Sequence, residues 1–193
     1  MISEDKLKDI FTKTGVLQKG HFELSSGRHA DKYLQCARVL QYPKYADMLG
    51  EEMAKIWQDT EIDVVIGPAL GGVVISYTTG RALGTRAVFS ERKKGKMQLR
   101  RGFNIKQTEN VLVVEDVVTT GGSVREVIEL LEDLNTNIVG ISSLVDRSCG
   151  EVEFAYPFKS LLQIDVASYP PEDCQLCQNN IPIDKPGSRK EKN

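Results

Sequence analysis

Apolar residues at Leu7, Ile10 and Phe11 recur at helical spacing, and Ser3, Glu4 and Asp5 supply a cap and an acidic first turn. Ile2 is placed to staple onto Leu7. The same period returns at Tyr45, Leu49, Met53 and Ile56, which predicts a helix over about 43–58 with Pro43 in its first turn. From Asp63 the pattern changes to short apolar runs separated by glycine-bearing turns. Residues 64–67, 86–90, 111–114, 137–145 and 161–166 read as strands. Between them, Val73, Val74 and Tyr77 mark one helix face, and Val124, Val127, Ile128, Leu131 and Leu134 mark another. Strands alternating with helices predict a parallel sheet covered on both faces.

Neither a repeat nor a linker interrupts this alternation, so one α/β domain over 1–193 is expected. Residues 1–40 and 165–185 fit the alternation poorly, and they are expected to pack together as a small hood over the strand ends. The polar stretch 186–193 is expected to be frayed. A composition with 40% hydrophobic and 27% charged residues is that of a soluble globular protein and excludes collagenous and disordered classes. The 25 basic residues are outnumbered by 27 acidic ones, which argues against a nucleic-acid partner held by overall charge. No charge occurs over 64–80, but Gly67, Pro68, Gly71 and Gly72 break the run into a strand, a turn and a helix. No membrane partner is expected, and the beginning of the chain lacks an apolar signal core. Four cysteines in such a chain are expected to stay reduced, as in a cytoplasm.

The segment with the most chemistry is VLVVEDVVTTGGS, residues 111–123. An apolar strand ends in two adjacent carboxylates, Glu115 and Asp116, at the end of an open sheet where ligands bind. Thr119, Thr120, Gly121, Gly122 and Ser123 then form a turn that opens a helix. Glycines let N–H groups approach an anion, the helix start adds a favourable dipole, and the hydroxyls can donate. The turn suits a phosphate and the carboxylates suit sugar hydroxyls; with no Lys after the glycines it is not a P-loop. This strand, acid pair and T-T-G-G-S turn resemble the signature of the type I phosphoribosyltransferases. The resemblance implies that family's α/β fold, with a central, mainly parallel sheet flanked by helices. It also implies that Glu115 and Asp116 hold the ribose hydroxyls of phosphoribosyl pyrophosphate (PRPP). Thr119, Thr120, Gly121, Gly122 and Ser123 would cradle its 5′-phosphate, with Val117 and Val118 completing the PRPP-binding run.

Six cations, Arg92, Lys93, Lys94, Lys96, Arg100 and Arg101, fall within ten residues around Gly95. Charge alone reads this as a solvated loop, but beside a phosphate turn it could meet a polyanionic leaving group. The phrase SERKKGKMQLRRGF resembles the catalytic loop of the orotate phosphoribosyltransferases. The resemblance implies that Arg92, Lys93 and Lys96 contact pyrophosphate, with Lys96 the catalytic lysine. It further implies a homodimer in which loop 91–103 completes the neighbour's site. Gln98 stands where many members carry a histidine. Leu70, Gly71 and Gly72 fall at the family's pyrophosphate loop, although many members have a lysine there. Residues 24–35 resemble the element covering the orotate ring, with Tyr33 and Thr119 near the base; Ser25 stands where many members have a PRPP-contacting lysine. Arg147 is assigned to orotate, whose acid group suits a guanidinium.

Cys174 and Cys177 form a C-x-x-C, but zinc needs two more ligands, and only the solitary Cys36 and Cys149 were candidates among the thiols. The expectation is reduced structural thiols with no metal held by the protein, and His21 and His29 as structural or solvated residues. The tail CQLCQNNIPIDKPGSRK resembles that of one branch of bacterial and archaeal orotate enzymes. Taken together, the resemblance implies transfer of phosphoribosyl from PRPP to orotate, giving orotidine 5′-phosphate and pyrophosphate with Mg²⁺ as cofactor. The alternatives are a purine phosphoribosyltransferase and a non-catalytic PRPP-sensing regulator.

Overall fold

The computed structural model describes residues 2–24 and 26–186, so Ser25 and most of the polar tail lie outside the described residues. In chain order the elements are helix α1 (Glu4–Lys13), strands β1 (Leu17–Glu23) and β2 (His29–Leu34), helices α2 (Ala37–Leu40) and α3 (Pro43–Ile56), strand β3 (Val64–Pro68) and helix α4 (Gly71–Leu83). There follow β4 (Arg86–Lys93), β5 (Lys96–Leu99), β6 (Asn110–Val118), α5 (Gly122–Asp133), β7 (Asn137–Asp146), β8 (Phe158–Gln163), β9 (Ser168–Tyr169) and the one-turn helix α6 (Gln175–Gln178).

The central sheet has six strands in the order β5-β4-β3-β6-β7-β8. All neighbours pair in parallel except β4 and β5, which form an antiparallel hairpin at one edge. Alternation explains why the middle strands look continuously apolar. Val65, Leu112 and Val114 enter one core with Leu49, Met53, Trp57 and Ile75. Val64, Ile66, Val111 and Val113 enter the other with Val124, Val127 and Leu131 of α5. Each strand therefore needs a hydrophobe at every position.

Two predicted boundaries move. The strand expected over 161–166 lies at Phe158–Gln163, and Val166 is buried beyond its end. The basic run expected as a loop is instead folded into the hairpin, whose turn places Lys94 (φ 53°) and Gly95 (φ 80°) in the left-handed region typical of tight two-residue hairpins. A second, three-stranded sheet, β1-β2-β9, joins the early and late segments of the chain. Arg28 ties them further, donating to the Ser168 hydroxyl at 2.9 Å and carbonyl at 2.6 Å. No helix among the described residues is long and apolar enough to cross a membrane.

Candidate active site

Chain direction sets the site. β3 and β6 are neighbours, yet β4 follows β3 to one side of the sheet and β7 follows β6 to the other. Such a switch point leaves a crevice at the C-terminal ends of the strands, where open α/β sheets bind ligands. Glu115 and Asp116 lie there, inside the last turns of β6 rather than after it. Burial, reinforced by the Asp116 charge, holds the Glu115 carboxyl well above its usual range, and burial also raises Asp116. Backbone donors compensate in part: Asp116 N–H reaches Glu115 Oε1 at 3.2 Å, and Val117 N–H reaches Asp116 Oδ1 at 2.8 Å.

Two helices begin at this edge. α5 starts from Gly121 (φ 73°) and α4 from Leu70; neither start has a side-chain cap or an acidic residue in its first turn. Their first N–H groups are thus oriented for an anion supplied from outside the chain. Gly121 has two reasons to lack a side chain, because a Cβ there would be strained and would meet Phe154 and Val152 at 2.9 Å. At Gly71 the reason is proximity: a Cβ would stand 2.6 Å from Asp116 Oδ1. The Leu70–Gly72 turn and the acid pair are therefore in contact, although they are far apart in sequence. Leu70 itself is 88% exposed.

Thr119 and Thr120 are exposed in the turn, and Ser123 lies in the first turn of α5. Arg92, on β4, donates to Ser123 Oγ at 3.2 Å and pairs with Glu126 at 2.7 Å. Lys93 and Lys96 face each other across the hairpin and are exposed at its tip. Val117 and Val118 contribute little beyond backbone, because their side chains pack into the two cores. Val118 O accepts from Arg147 N–H at 2.8 Å, which fixes the start of the loop after β7.

Arg147 is half-buried, and its buried Nε has no hydrogen-bond partner among the described residues. Burial lowers its pKa, while the nearby Tyr33 phenol acts the other way. Tyr33, on β2, is raised mainly by burial and also feels the charges of Arg147 and Asp116. Tyr33, Arg147 and the acid pair are thus brought together from the hood and two strands of the main sheet. A cavity of about 670 Å³ runs along β8 between Phe158 and Gln163, and none of these residues lines it.

Sequence reasoning missed two contributors. Glu126 lies three residues after Ser123 on α5, so helical spacing could have placed it beside the turn. Cys36 is buried beneath the acid pair, its thiol 3.9 Å from Asp116 O, and no local pattern marks it. Cys174 and Cys177, expected as structural thiols, lie beside His21 and His29 and not beside Cys36 or Cys149, the two residues weighed as further ligands. Antiparallel pairing and the return of the chain after β9 create that proximity.

A model of the phosphoribosyl transferase domain matches residues 36–173. A protein named orotate phosphoribosyltransferase from Thermoanaerobacter sp. (strain X514) is 54% identical over 189 residues, covering 98% of this chain and 100% of that one. A protein of the same name from Thermotoga maritima is 54% identical over 183 residues, covering 95% of this chain and 98% of that one. Among solved structures, the Mycobacterium tuberculosis orotate phosphoribosyltransferase in complex with Fe(III) dicitrate superposes with a TM-score of 0.69 at 26% identity, covering 83% of this chain and 97% of that one. With the strand order, the acid pair and its two uncapped helix starts in place, the chain belongs to the phosphoribosyltransferase family and, within it, to the orotate phosphoribosyltransferases.

Proposed function

We propose that this enzyme transfers the 5-phosphoribosyl group from PRPP to orotate, with Glu115 and Asp116 receiving the ribose hydroxyls. The observation that carries the reading is the acid pair flanked by two uncapped helix starts, one for the 5′-phosphate and one for the pyrophosphate. Thr119, Thr120 and Ser123 offer hydroxyl donors at the first, and the backbone of Leu70, Gly71 and Gly72 lines the second. A ring nitrogen of orotate attacks the anomeric carbon as the bond to pyrophosphate breaks, with inversion; the proton of that nitrogen passes to the departing pyrophosphate or to solvent, and no protein nucleophile is needed. The half-buried guanidinium of Arg147 meets the carboxylate of orotate, and Tyr33 closes over the ring from the hood. Catalysis then rests on positioning and on cations meeting the charge that develops on pyrophosphate.

Mg²⁺ fits the chemistry of the site. The groups at hand are carboxylate and hydroxyl oxygens; burial opposes the ionisation of both acids, and the Asp116 charge adds to that of Glu115, so a nearby cation would favour the charged pair. Mg²⁺ bound near Glu115 and Asp116 would supply positive charge to offset the negative charge of the diphosphate. The chain's own residues would orient the sugar and hold the base.

A homodimer belongs to this reading. Leu70, Val74 and Tyr77 are 88%, 40% and 64% exposed along one side of α4, an apolar stripe suited to a second copy. Lys93 and Lys96 at the hairpin tip would serve the neighbour's site within loop 91–103, while Arg92 stays beside its own turn. The absence of disulfides among the four cysteines fits work in a reducing cytoplasm.

The deciding assay mixes purified protein, Mg²⁺ and PRPP with orotate, adenine, hypoxanthine, xanthine or uracil and measures nucleotide formed. Orotidine 5′-phosphate from orotate alone is expected; turnover of a purine but not orotate would overturn the reading. In the same assay Arg147→Ala should raise the KM for orotate about tenfold to a hundredfold, the loss of roughly 1.5–3 kcal/mol of charged hydrogen bonding, with little change in the KM for PRPP.

A further inference from the structure

The geometry points to a tetrahedral zinc site in the hood, formed by His21, His29, Cys174 and Cys177 and separate from the PRPP cradle. One ligand atom from each residue lies within 4.8 Å of all the others. His21 Nε2 stands 3.1 Å from His29 Nδ1, 3.5 Å from Cys174 Sγ and 3.6 Å from Cys177 Sγ. Cys177 Sγ is 3.2 Å from His29 Nδ1. Ligands bound to zinc at about 2.0–2.1 Å for nitrogen and about 2.3 Å for sulfur stand roughly 3.3–3.8 Å apart at tetrahedral angles. Four of the six pairs therefore already stand close to the spacing of a coordination shell, and the other two lie within 4.8 Å.

Hydrogen bonding within the chain does not account for this convergence. His21 Nδ1 lies 2.7 Å from the Ile181 carbonyl, and a carbonyl can only accept. The proton of a neutral His21 ring is thereby fixed on Nδ1, leaving Nε2 a single lone pair faced by three neighbours. If the Cys177 thiol donates to His29 Nδ1 at 3.2 Å, the two unprotonated ring nitrogens face each other at 3.1 Å with no proton between them, whereas a cation at the centre satisfies all four ligand atoms. A ligating histidine that gives its second nitrogen to a backbone carbonyl is the usual outer support of a zinc site. Two imidazoles and two thiols are also a donor set that selects zinc over hard cations.

The fold assembles these ligands deliberately. Glu23 pairs with His29 across β1 and β2, and His21 lies in the irregular stretch between Lys19 and Phe22, where β1 carries one residue more than β2 and the His21 ring comes within 3.1 Å of His29. Cys174 precedes α6 and Cys177 lies within it, so one helical turn presents both thiols. His21, His29 and Cys174 are buried, while Cys177 marks the solvent edge and a route of entry. Asp184 N–H then donates to His21 O at 2.8 Å, holding the returning strand against β1. A zinc ion here would join segments 153 residues apart and brace the layer that carries Tyr33. Binding would release the two thiol protons to solvent and leave the metal oxidation state unchanged.

The test is independent of whether orotate is turned over. The full-length protein is purified from zinc-supplemented culture, dialysed against a weak chelator and measured by elemental mass spectrometry together with a thiol titration. About one zinc per chain is expected, with the exposed Cys149 the only thiol that reacts readily in the folded protein until a strong chelator frees Cys174 and Cys177, and the buried Cys36 reacting only on unfolding. The Cys174→Ser/Cys177→Ser chain should bind almost none. Cobalt exchanged into the unaltered protein should give the visible bands and thiolate charge transfer of a tetrahedral centre, which keeps the test valid should the variant fold poorly. Strong chelation should lower the Tm of the unaltered protein and leave that of the variant unmoved. A chain free of zinc whose exposed Cys177 reacts without a chelator, a Cys174–Cys177 disulfide, or zinc retained by the double variant would each overturn the proposal.

Discussion

Glu115 and Asp116 hold their protons more tightly in the folded chain than an unfolded chain would, because burial opposes both charges. The native state then binds more protons than the unfolded one, so this pair makes stability fall as pH rises from the ordinary glutamate value of about 4.3 upward. Glu115→Gln removes the more strongly raised group. In the ligand-free protein it should raise the Tm at neutral pH and flatten the decline between about pH 5 and pH 8, as thermal melts across that range would show. The same change should weaken PRPP binding about tenfold or more, since an amide replaces the acceptor for a sugar hydroxyl. A variant less stable than its parent at neutral pH would contradict the assignment of strain to Glu115. The acid pair was legible in the sequence because it interrupts an apolar run. The cost of burying it was not, since that depends on the depth at which β6 places it.

At the scale of elements, the β4–β5 hairpin sorts its residues by alternation: Met97 is buried against the α5 side of the sheet, while Lys96 and Gln98 face solvent. Lys96 is therefore free to meet pyrophosphate without disturbing the core. Lys96→Ala should lower kcat by about a hundredfold or more while the Kd for PRPP changes much less, because the group acts on charge that develops in the transition state. Single-turnover rates and equilibrium binding separate the two effects, and an unchanged kcat would remove Lys96 from the chemistry. Charge density made the run conspicuous in the sequence but gave no sign of the Lys94–Gly95 turn, since a lysine is an uncommon choice for φ 53°. The displaced final strand has a similar origin. In FKSLLQ only Leu162 is fully buried, so the strand leaves a weak alternation, and Val166 drew the expected boundary later by packing into the core from beyond the strand end.

For the whole molecule, the exposed side of α4 bears directly on assembly. Val74→Asp with Tyr77→Glu should convert a dimer to a monomer in light scattering and lower kcat through loss of the neighbour's lysines; a dimer that survives both changes would move the interface elsewhere. The alternation of strands and helices made the central sheet readable, because each element buries its own periodic face. The hood was readable only as a departure from that rhythm, and its His-Cys cluster not at all, because its four residues come from two strands and a distant one-turn helix. That layout has a consequence for synthesis on the ribosome. β2 needs β9 as its partner, and Arg28 is hydrogen-bonded to a residue 140 positions later. A nascent chain can assemble strands β3 to β7, with the acid pair and both helix starts, before the segment that closes the hood has been translated. The half of the enzyme that carries the acid pair is thus born first, and the hood matures only when nearly all of the chain has been made.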